Sequence, residues 1–447
     1  MTARDTARDE VGGSVGTGER ASSFPLSEID LSDLDGFWGR PLAERDAAFA
    51  TLRAVAPVAH FTGTALLPEA PGLSFGELEY WAVSRYEDVV AISRDPELFC
   101  SGQGATSLVD LPPEFLAFFG GLINADDPHH ARLRRIVSRA FTPRVLEALE
   151  VQIARRARAI VDEIADRGSC DFVVDVAARL PLGVLCDLMG IPEEEHARVL
   201  SATNRILGAM DPELLPDGVD PVSAVLGAGA ELRALVQSLG ESRRRHPTGD
   251  VTSALVNAEV EGERLSDDEL ASFFVLLVVA GNETTRNAAS AGLVALCDHP
   301  AQRDRWQAAY DAGAPLAVEE IVRWATPVVF MRRTTTRETV VAGTRLPKGA
   351  RLMLLYPSAN RDPAAFDDPE RFDLTRSPNR HVGFGGFGPH YCLGAHLARR
   401  ELTVLFREVL GRLPDLRIVG EPVRLRSNFI NGIKHLPCAF TPETRVR

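Results

Sequence analysis

A run of apolar residues long enough to cross a bilayer is missing from this 447-residue sequence. The longest strongly apolar stretch, FFVLLVVA at 273–280, falls far short of the roughly 20 residues a transmembrane helix needs, so no membrane insertion is expected. A basic surplus is missing too: 49 Lys and Arg stand against 62 Asp and Glu, a formal net charge of −13. Nucleic acid is thereby disfavoured as a partner, since phosphate binding needs a concentrated basic surface. The six cysteines, Cys100, Cys170, Cys186, Cys297, Cys392 and Cys438, include no C-x-x-C pair. Their scatter argues against a disulfide framework, a structural zinc site and an iron–sulfur set. Residues 1–24 have no apolar h-region and are charged and Gly/Ser/Thr-rich. They are expected to be a disordered leader rather than a secretory signal, which makes cytoplasmic residence the default.

The remainder, 25–447, is expected to form one catalytic domain, mainly α with a smaller β part. Strand-like segments at 55–61 and 79–83 flank a Gly/Pro-rich loop. Apolar residues then recur at three-to-four spacing over 145–167, 172–189, 194–210, 223–245 and 267–298. The last of these is apolar on nearly every face at its centre, so it must run through the interior. Ser266 with Glu269 three residues on predicts its N-terminal cap. Strand signals return over 334–355, a polar Pro/Gly-rich meander fills 357–391, a helix is expected over 393–410, and short strands over 416–440.

The most informative segment is Phe384-Gly-Gly-Phe-Gly-Pro-His-Tyr-Cys392-Leu-Gly394. Glycines let backbone N–H groups approach the sulfur and let a flat ligand pack on the loop. A helix beginning after Cys392 adds unpaired N–H groups and the positive end of its dipole, both of which favour thiolate. Such a thiolate is suited to ligating haem iron. A core cysteine beside a flexible loop is the plainer alternative for a lone Cys.

Three further patterns accompany it. His130 and Arg134, four apart in a helical segment, and Arg333 and His390 elsewhere in the chain are the basic residues that the family resemblance given below singles out. Each alone reads as a solvated charge; together they could neutralise buried carboxylates. Ala280-Gly-Asn-Glu283-Thr284-Thr285 breaks the helix-propensity rule in the middle of a core helix. An alcohol beside an acid can relay protons; the competing reading is a kinked helix in which Glu283 is ion-paired with Arg286. Glu320 and Arg323, at i and i+3, are either a surface pair or a buried structural one.

The cysteine segment resembles the haem-binding signature of the cytochrome P450 superfamily, and the likeness extends over nearly the whole chain after the leader. It implies the P450 fold, with haem b between the long interior helix and the Cys-loop helix. Cys392 would be the axial thiolate, with Ala280, Phe384 and Gly394 against the macrocycle and His130, Arg134, Arg333 and His390 at its propionates. Glu283 and Thr284 would be the catalytic acid and alcohol. Glu320 and Arg323 would be joined by an arginine of the meander near 369–372. One departure stands out: Phe384 lies eight residues before Cys392 instead of seven, as if a glycine were inserted. That loop variant resembles actinobacterial members that oxidise sterol side chains and methyl-branched lipids.

The resemblance further places substrate-lining residues in 101–123 (Leu108, Leu111, Phe115, Phe118, Phe119), in 210–225, at Val328 and Val329, and in 428–433 with Phe429 and Ile430. It implies a monomeric monooxygenase using O2 on an unactivated C–H bond of a hydrophobic molecule. No dinucleotide-binding unit or Fe–S set is expected in the chain, so electrons would come from a ferredoxin and its reductase. The docking face would include Arg132, Arg135, Arg139 and Arg399. A natural-product tailoring oxidase and a haem sensor or carrier without turnover are the alternatives; a proton relay argues against the last.

Overall fold

The computed structural model describes residues 24–63, 78–110, 115, 121–140, 143–259 and 262–443. Nearly all of the proposed leader and parts of the 101–123 loop, including Leu111, Phe118 and Phe119, lie outside the described residues. The helices are α1 (Leu42–Val55), α2 (Tyr86–Arg94), α3 (His129–Ala140), α4 (Pro143–Ile164), α5 (Arg179–Met189), α6 (His196–Leu207) and α7 (Pro221–Arg245). They continue with α8 (Val251–Val256), α9 (Asp267–Asp298), α10 (Pro300–Ala308), α11 (Tyr310–Ala325), α12 (Tyr356–Ala359) and α13 (Ala395–Arg412). No helix among the described residues is long and apolar enough to cross a membrane.

The α9 boundaries match those expected. Ser266 accepts from the Glu269 N–H while the Glu269 side chain accepts from the Ser266 N–H, a reciprocal capping box. Its 32 residues make a rod of about 48 Å. The apolar faces of α4, α5, α7, α11 and α13 surround it in one core that includes Phe274, Leu293, Leu296, Ile321 and Phe406.

The main sheet has the order β1-β2-β8-β5-β3, from Val58–Gly63 (β1), Leu78–Val83 (β2), Phe99–Cys100 (β3), Phe330–Thr335 (β5) and Arg351–Leu355 (β8). Alternate residues point to opposite faces, and here both faces are apolar. Tyr80, Ala82, Met353 and Leu355 pack with Phe37, Phe49 and Leu52. Trp81, Val83, Leu352 and Leu354 pack with Val89 and Ile92. Smaller pieces include β4 (Ser169–Asp171), β9 (Arg417–Ile418) and β12 (Pro437–Ala439), joined as β4-β12-β9, and the pairs β6 (Thr339–Val341) with β7 (Thr344–Leu346) and β10 (Val423–Arg424) with β11 (Ile433–His435).

Three expectations are corrected. Val55 ends α1 instead of opening a strand, because Leu52 and Phe49 hold that turn in the core. Residues 172–189 are two elements: Asp171 caps a π-helical turn over Phe172–Ala177 through the N–H groups of Val173 and Val174, and α5 follows. The Cys-loop helix starts at Ala395, later than 393, with Gly394 as its N-cap.

The connection 208–220 between α6 and α7 is tied down by the C-terminal hairpin. Asp211, buried, accepts from the Arg426 N–H at 2.9 Å and from Lys434 Nζ at 3.0 Å. Arg426 also binds the Met210 carbonyl at 2.8 Å and holds Asp35 through two bonds of 2.6 and 2.8 Å.

Candidate active site

The loop before α13 is shaped by its glycines. A side chain on Gly388 would run into the carbonyl of Ser93, and one on Gly386 into the Ser93 hydroxyl, so both let the loop lie against α2. Gly385 and Phe387 take positive φ, 99° and 61°. These turns absorb the residue that displaces Phe384. The Cys392 N–H still donates to the Phe384 carbonyl at 3.0 Å, and the Tyr391 N–H to Gly388. The Phe384 ring lies 4.4 Å from the Arg399 guanidinium carbon. Gly383, Gly385 and Gly388 reproduce the G-x-G-x-x-G spacing, but no strand leads into them and α13 begins only at Ala395. The spacing therefore lacks the strand–loop–helix context of a dinucleotide-binding loop.

Cys392 is exposed, yet desolvation by surrounding protein is the strongest influence on its thiol and pushes its pKa up. A group meets both conditions on the floor of a recess. The Gly394 N–H, Arg134 and Arg399 act in the opposite sense, favouring thiolate. A metal ion facing the sulfur would settle that balance, since a coordinating thiol is deprotonated outright. The other cysteines are buried or half-buried and shifted upward by desolvation, Cys170 and Cys186 to about 12. That is the profile of inert thiols.

The four dispersed basic residues converge here. The rings of His130 and His390 are 4.2 Å apart. His130 is buried with Nε2 unpartnered. Arg134 donates to the carbonyls of Pro389 and Tyr391, both at 2.8 Å, and buried Arg333 donates to the Arg332 carbonyl at 2.8 Å. The His390 imidazole is pushed down to about 3, first by burial and then by Arg333, His130 and Arg134. Among the described residues neither Arg134 nor Arg333 has a carboxylate partner. One buried and one half-buried guanidinium without a carboxylate partner, beside an orphaned imidazole nitrogen, fit a dianionic ligand. With the recessed sulfur, they fit a haem and its two propionates.

On α9 a stripe breaks the burial pattern. Ala280 is exposed and Leu277, Gly281 and Thr284 are half-buried, while Asn282, Glu283, Thr285 and Arg286 are buried. The spacing 277, 280, 281, 284 is one helical face; Gly281 lies against Leu185, and the accessible part of the face is at Ala280 and Thr284. The Thr284 hydroxyl donates to the Ala280 carbonyl at 2.7 Å. Glu283 is turned away from Thr284 and paired with Arg286, which also reaches Asn204 at 3.1 Å. In this geometry the competing ion-pair reading of Glu283 is the observed one. Glu283 Oε2, Arg286 Nε and both polar atoms of Asn282 are buried without partners.

Sequence reasoning missed Glu401. It lies fully buried on α13 beside Leu402 and four residues before Leu405, and accepts a hydrogen bond from Thr285. Burial pushes its carboxyl up to about 8. An acid on the apolar face of a predicted helix was the available signal.

The residues expected to line the substrate also meet. Val328 and Ile430 form a β-bridge, and the Val329 N–H donates to the Phe429 carbonyl at 2.8 Å. Val328 and Phe429 are half-buried, whereas Val329 and Ile430, 1% and 2% exposed, are packed into the wall. Glu320 and Arg323 are fully buried and bonded twice at 2.8 Å. The third partner is a meander arginine as expected, Arg376, four residues beyond 372 and 3.2 Å from Glu320, while Arg371 is spent on Asp373. Of the expected docking arginines, Arg132 pairs with Glu269, Arg135 with Glu263 and Arg399 with Glu319.

Comparison with known proteins agrees with this geometry. The family model described as Cytochrome P450 matches residues 315–413. The chain is 48% identical over 421 residues to a methyl-branched lipid omega-hydroxylase of Mycobacterium tuberculosis, covering 93% of this chain and 96% of that one. It is 41% identical over 412 residues to a steroid C26-monooxygenase of Rhodococcus jostii, covering 91% and 83%. A Mycobacterium marinum cytochrome P450 solved in complex with pseudoionone superposes with a TM-score of 0.85 at 42% identity, over 94% of this chain and 100% of that one. With a recessed cysteine, an unbalanced basic cluster and relatives alike over nearly their full length, the chain belongs to the cytochrome P450 family and is a haem-thiolate monooxygenase.

Proposed function

We propose that this enzyme hydroxylates the alkyl end of a methyl-branched lipid, with residues from 25 onward acting as a single catalytic domain. The carrying observation is the 48% identity, over 93% of the chain, to an omega-hydroxylase of such lipids. The steroid side chain is the second reading, favoured by the likeness to a steroid C26-monooxygenase. Both present a branched alkyl terminus, which the apolar wall of Val328 and Phe429 suits.

In this reading Cys392 would ligate the haem iron through its thiolate, and His130, Arg134, Arg333 and His390 would hold the propionates. Bound haem supplies the reductive activation of O2 that places one oxygen atom in a C–H bond and releases the other as water, and thiolate ligation favours the O–O cleavage. The protein's part is to position the alkyl chain, limit water and deliver two protons. Thr284 carries the last proton-bearing group on the α9 stripe. Its hydroxyl reaches the recess by giving up its bond to the Ala280 carbonyl. Glu283 takes part only after parting from Arg286, so that ion pair acts as a brake on proton entry. Electrons come from a ferredoxin and its reductase, and the enzyme works as a cytoplasmic monomer.

The test combines spectrum and product. Reduced, CO-bound wild type should show the thiolate-type Soret band and Cys392→Ala should lose it. Wild type supplied with a ferredoxin, its reductase and O2 should then yield a terminally hydroxylated methyl-branched fatty acid. Turnover of a sterol with an alkyl side chain, and none of the fatty acid, transfers the assignment to the second reading; a histidine-type band in both proteins overturns the ligand.

A further inference from the structure

A second group of guanidiniums, two of them without a counter-ion among the described residues, lies away from the haem recess. Arg45, Arg361 and Arg424 line a cavity of about 60 Å³ between α1, the end of α11 and the β10–β11 hairpin, together with Asp46 and Asn431. About 10–15 Å³ is enough to admit a water, so the space takes a few waters or one small ion. Its apolar walls, including Trp38, Phe49 and Val329, exclude anything much larger.

The charges do not balance. Arg45 is 6% exposed, its Nε is buried without a partner, and its side chain makes no hydrogen bond or ion pair among the described residues. Arg424, half-buried on β10, likewise has no side-chain partner there. The single carboxylate on the cavity wall, Asp46, is held by Arg361 at 3.2 Å. Arg361 also reaches Glu370, outside the cavity, at 3.2 Å, so its charge is matched, whereas Arg45 and Arg424 are left without a counter-ion among the described residues. Burial and then repulsion by Arg424 push the Arg45 guanidinium down to about 10. Uncompensated buried charge is strongly destabilising, and waters alone would leave two like charges facing each other.

We infer that this cavity is an anion site, in which a halide or the carboxylate of a small organic acid bridges Arg45 and Arg424. The site shares no residue with the haem-propionate cluster. Its place in the fold gives the anion a role, because Arg424 belongs to the hairpin segment that goes on to Phe429 and Ile430. A bound anion ties that substrate-side wall to α1.

The test uses haem-loaded wild-type crystals grown without halide and soaked in sodium bromide, with data collected at the bromine edge. An anomalous peak between the Arg45 and Arg424 guanidiniums is expected. In a parallel soak with excess sodium acetate, loss of the peak identifies a site open to carboxylates, and its persistence a site selective for halide. No bromide and no acetate density in the cavity overturns the inference. Arg424→Gln, checked for an unchanged CO-bound spectrum, should lose the peak; a peak of equal height in that variant overturns the bridging geometry. In solution, bromide replacing a bulky sulfonate at constant ionic strength should raise the wild-type melting temperature and leave Arg424→Gln unmoved. An equal rise in both counts against the site.

Discussion

Arg332, buried in the main sheet, donates to Asp110 at 2.7 Å and at the same time to the carbonyls of Ser107, Leu108 and Val109 at 3.2–3.3 Å. One side chain thus fixes a stretch of the loop expected to border the substrate, and Arg351 grips the same carboxylate. Asp110→Asn keeps the shape but weakens both charge-assisted bonds. Steady-state kinetics should show a severalfold rise in KM with kcat and the CO-bound spectrum preserved. Arg332→Gln strands buried acceptors, each worth about 1–3 kcal/mol, and should also lower the melting temperature. An unchanged KM in Asp110→Asn would mean that this part of the loop does not border the substrate.

The arrangement on α9 separates two effects. Thr284→Ala removes the hydroxyl without touching a buried partner, so product formation should fall by about 10²-fold at unchanged melting temperature. Oxygen and reductant should continue to be consumed. Glu283→Gln leaves the Arg286 guanidinium buried without its charge partner, so that variant should lose both stability and rate. Equal product-to-O2 ratios in wild type and Thr284→Ala would remove Thr284 from proton delivery.

Glu401 gives stability a pH dependence of defined sign. Its carboxyl titrates near 8 in the folded protein against an ordinary 4.5, so the native state keeps a proton that the unfolded chain releases. Stability from this group therefore falls as pH rises from about 4.5 towards 8, by about 1.4 kcal/mol per unit of pKa difference. Glu401→Gln should flatten the melting curve across that window and melt higher than wild type at pH 8. A wild-type slope retained in the variant would assign the dependence elsewhere.

Removal of haem should be costly in a measurable way. Arg134 and Arg333 would be left near two imidazoles with no anion to separate them, and a ligand held at a thousandfold excess over its Kd contributes about 4 kcal/mol. Acid extraction should lower the melting temperature, and haem should restore it. Haem dimethyl ester, which lacks the propionate charges, should restore much less. Equal rescue by the ester would deny the basic cluster its role.

Chemistry that sits in one short segment was legible in the sequence, and so was strong periodicity. The Cys392 loop, the Ser266 cap and the α9 boundaries are all local. The convergence of His130, Arg134, Arg333 and His390 is a tertiary fact, reached through family likeness and not through spacing. What stayed hidden depended on side-chain direction: Glu283 turning to Arg286, Glu401 pointing inward, Arg376 completing the Glu320 pair, and Arg45 facing Arg424. A one-residue change in where an arginine projects does not alter an apolar period, so no pattern reports it.

The ties on Asp211 have a consequence for how the molecule is made. Arg426 and Lys434 reach it across 215 and 223 positions, and Arg426 reaches Asp35 across 391. Chains emerge from the N-terminus, so these ties on the 208–220 connection form only after Arg426 and Lys434 have been synthesised. The last two dozen residues act as a drawstring. His390 and Cys392 precede Arg426 and Lys434 in the sequence, so the residues expected to hold the cofactor are all made before that connection can be drawn shut.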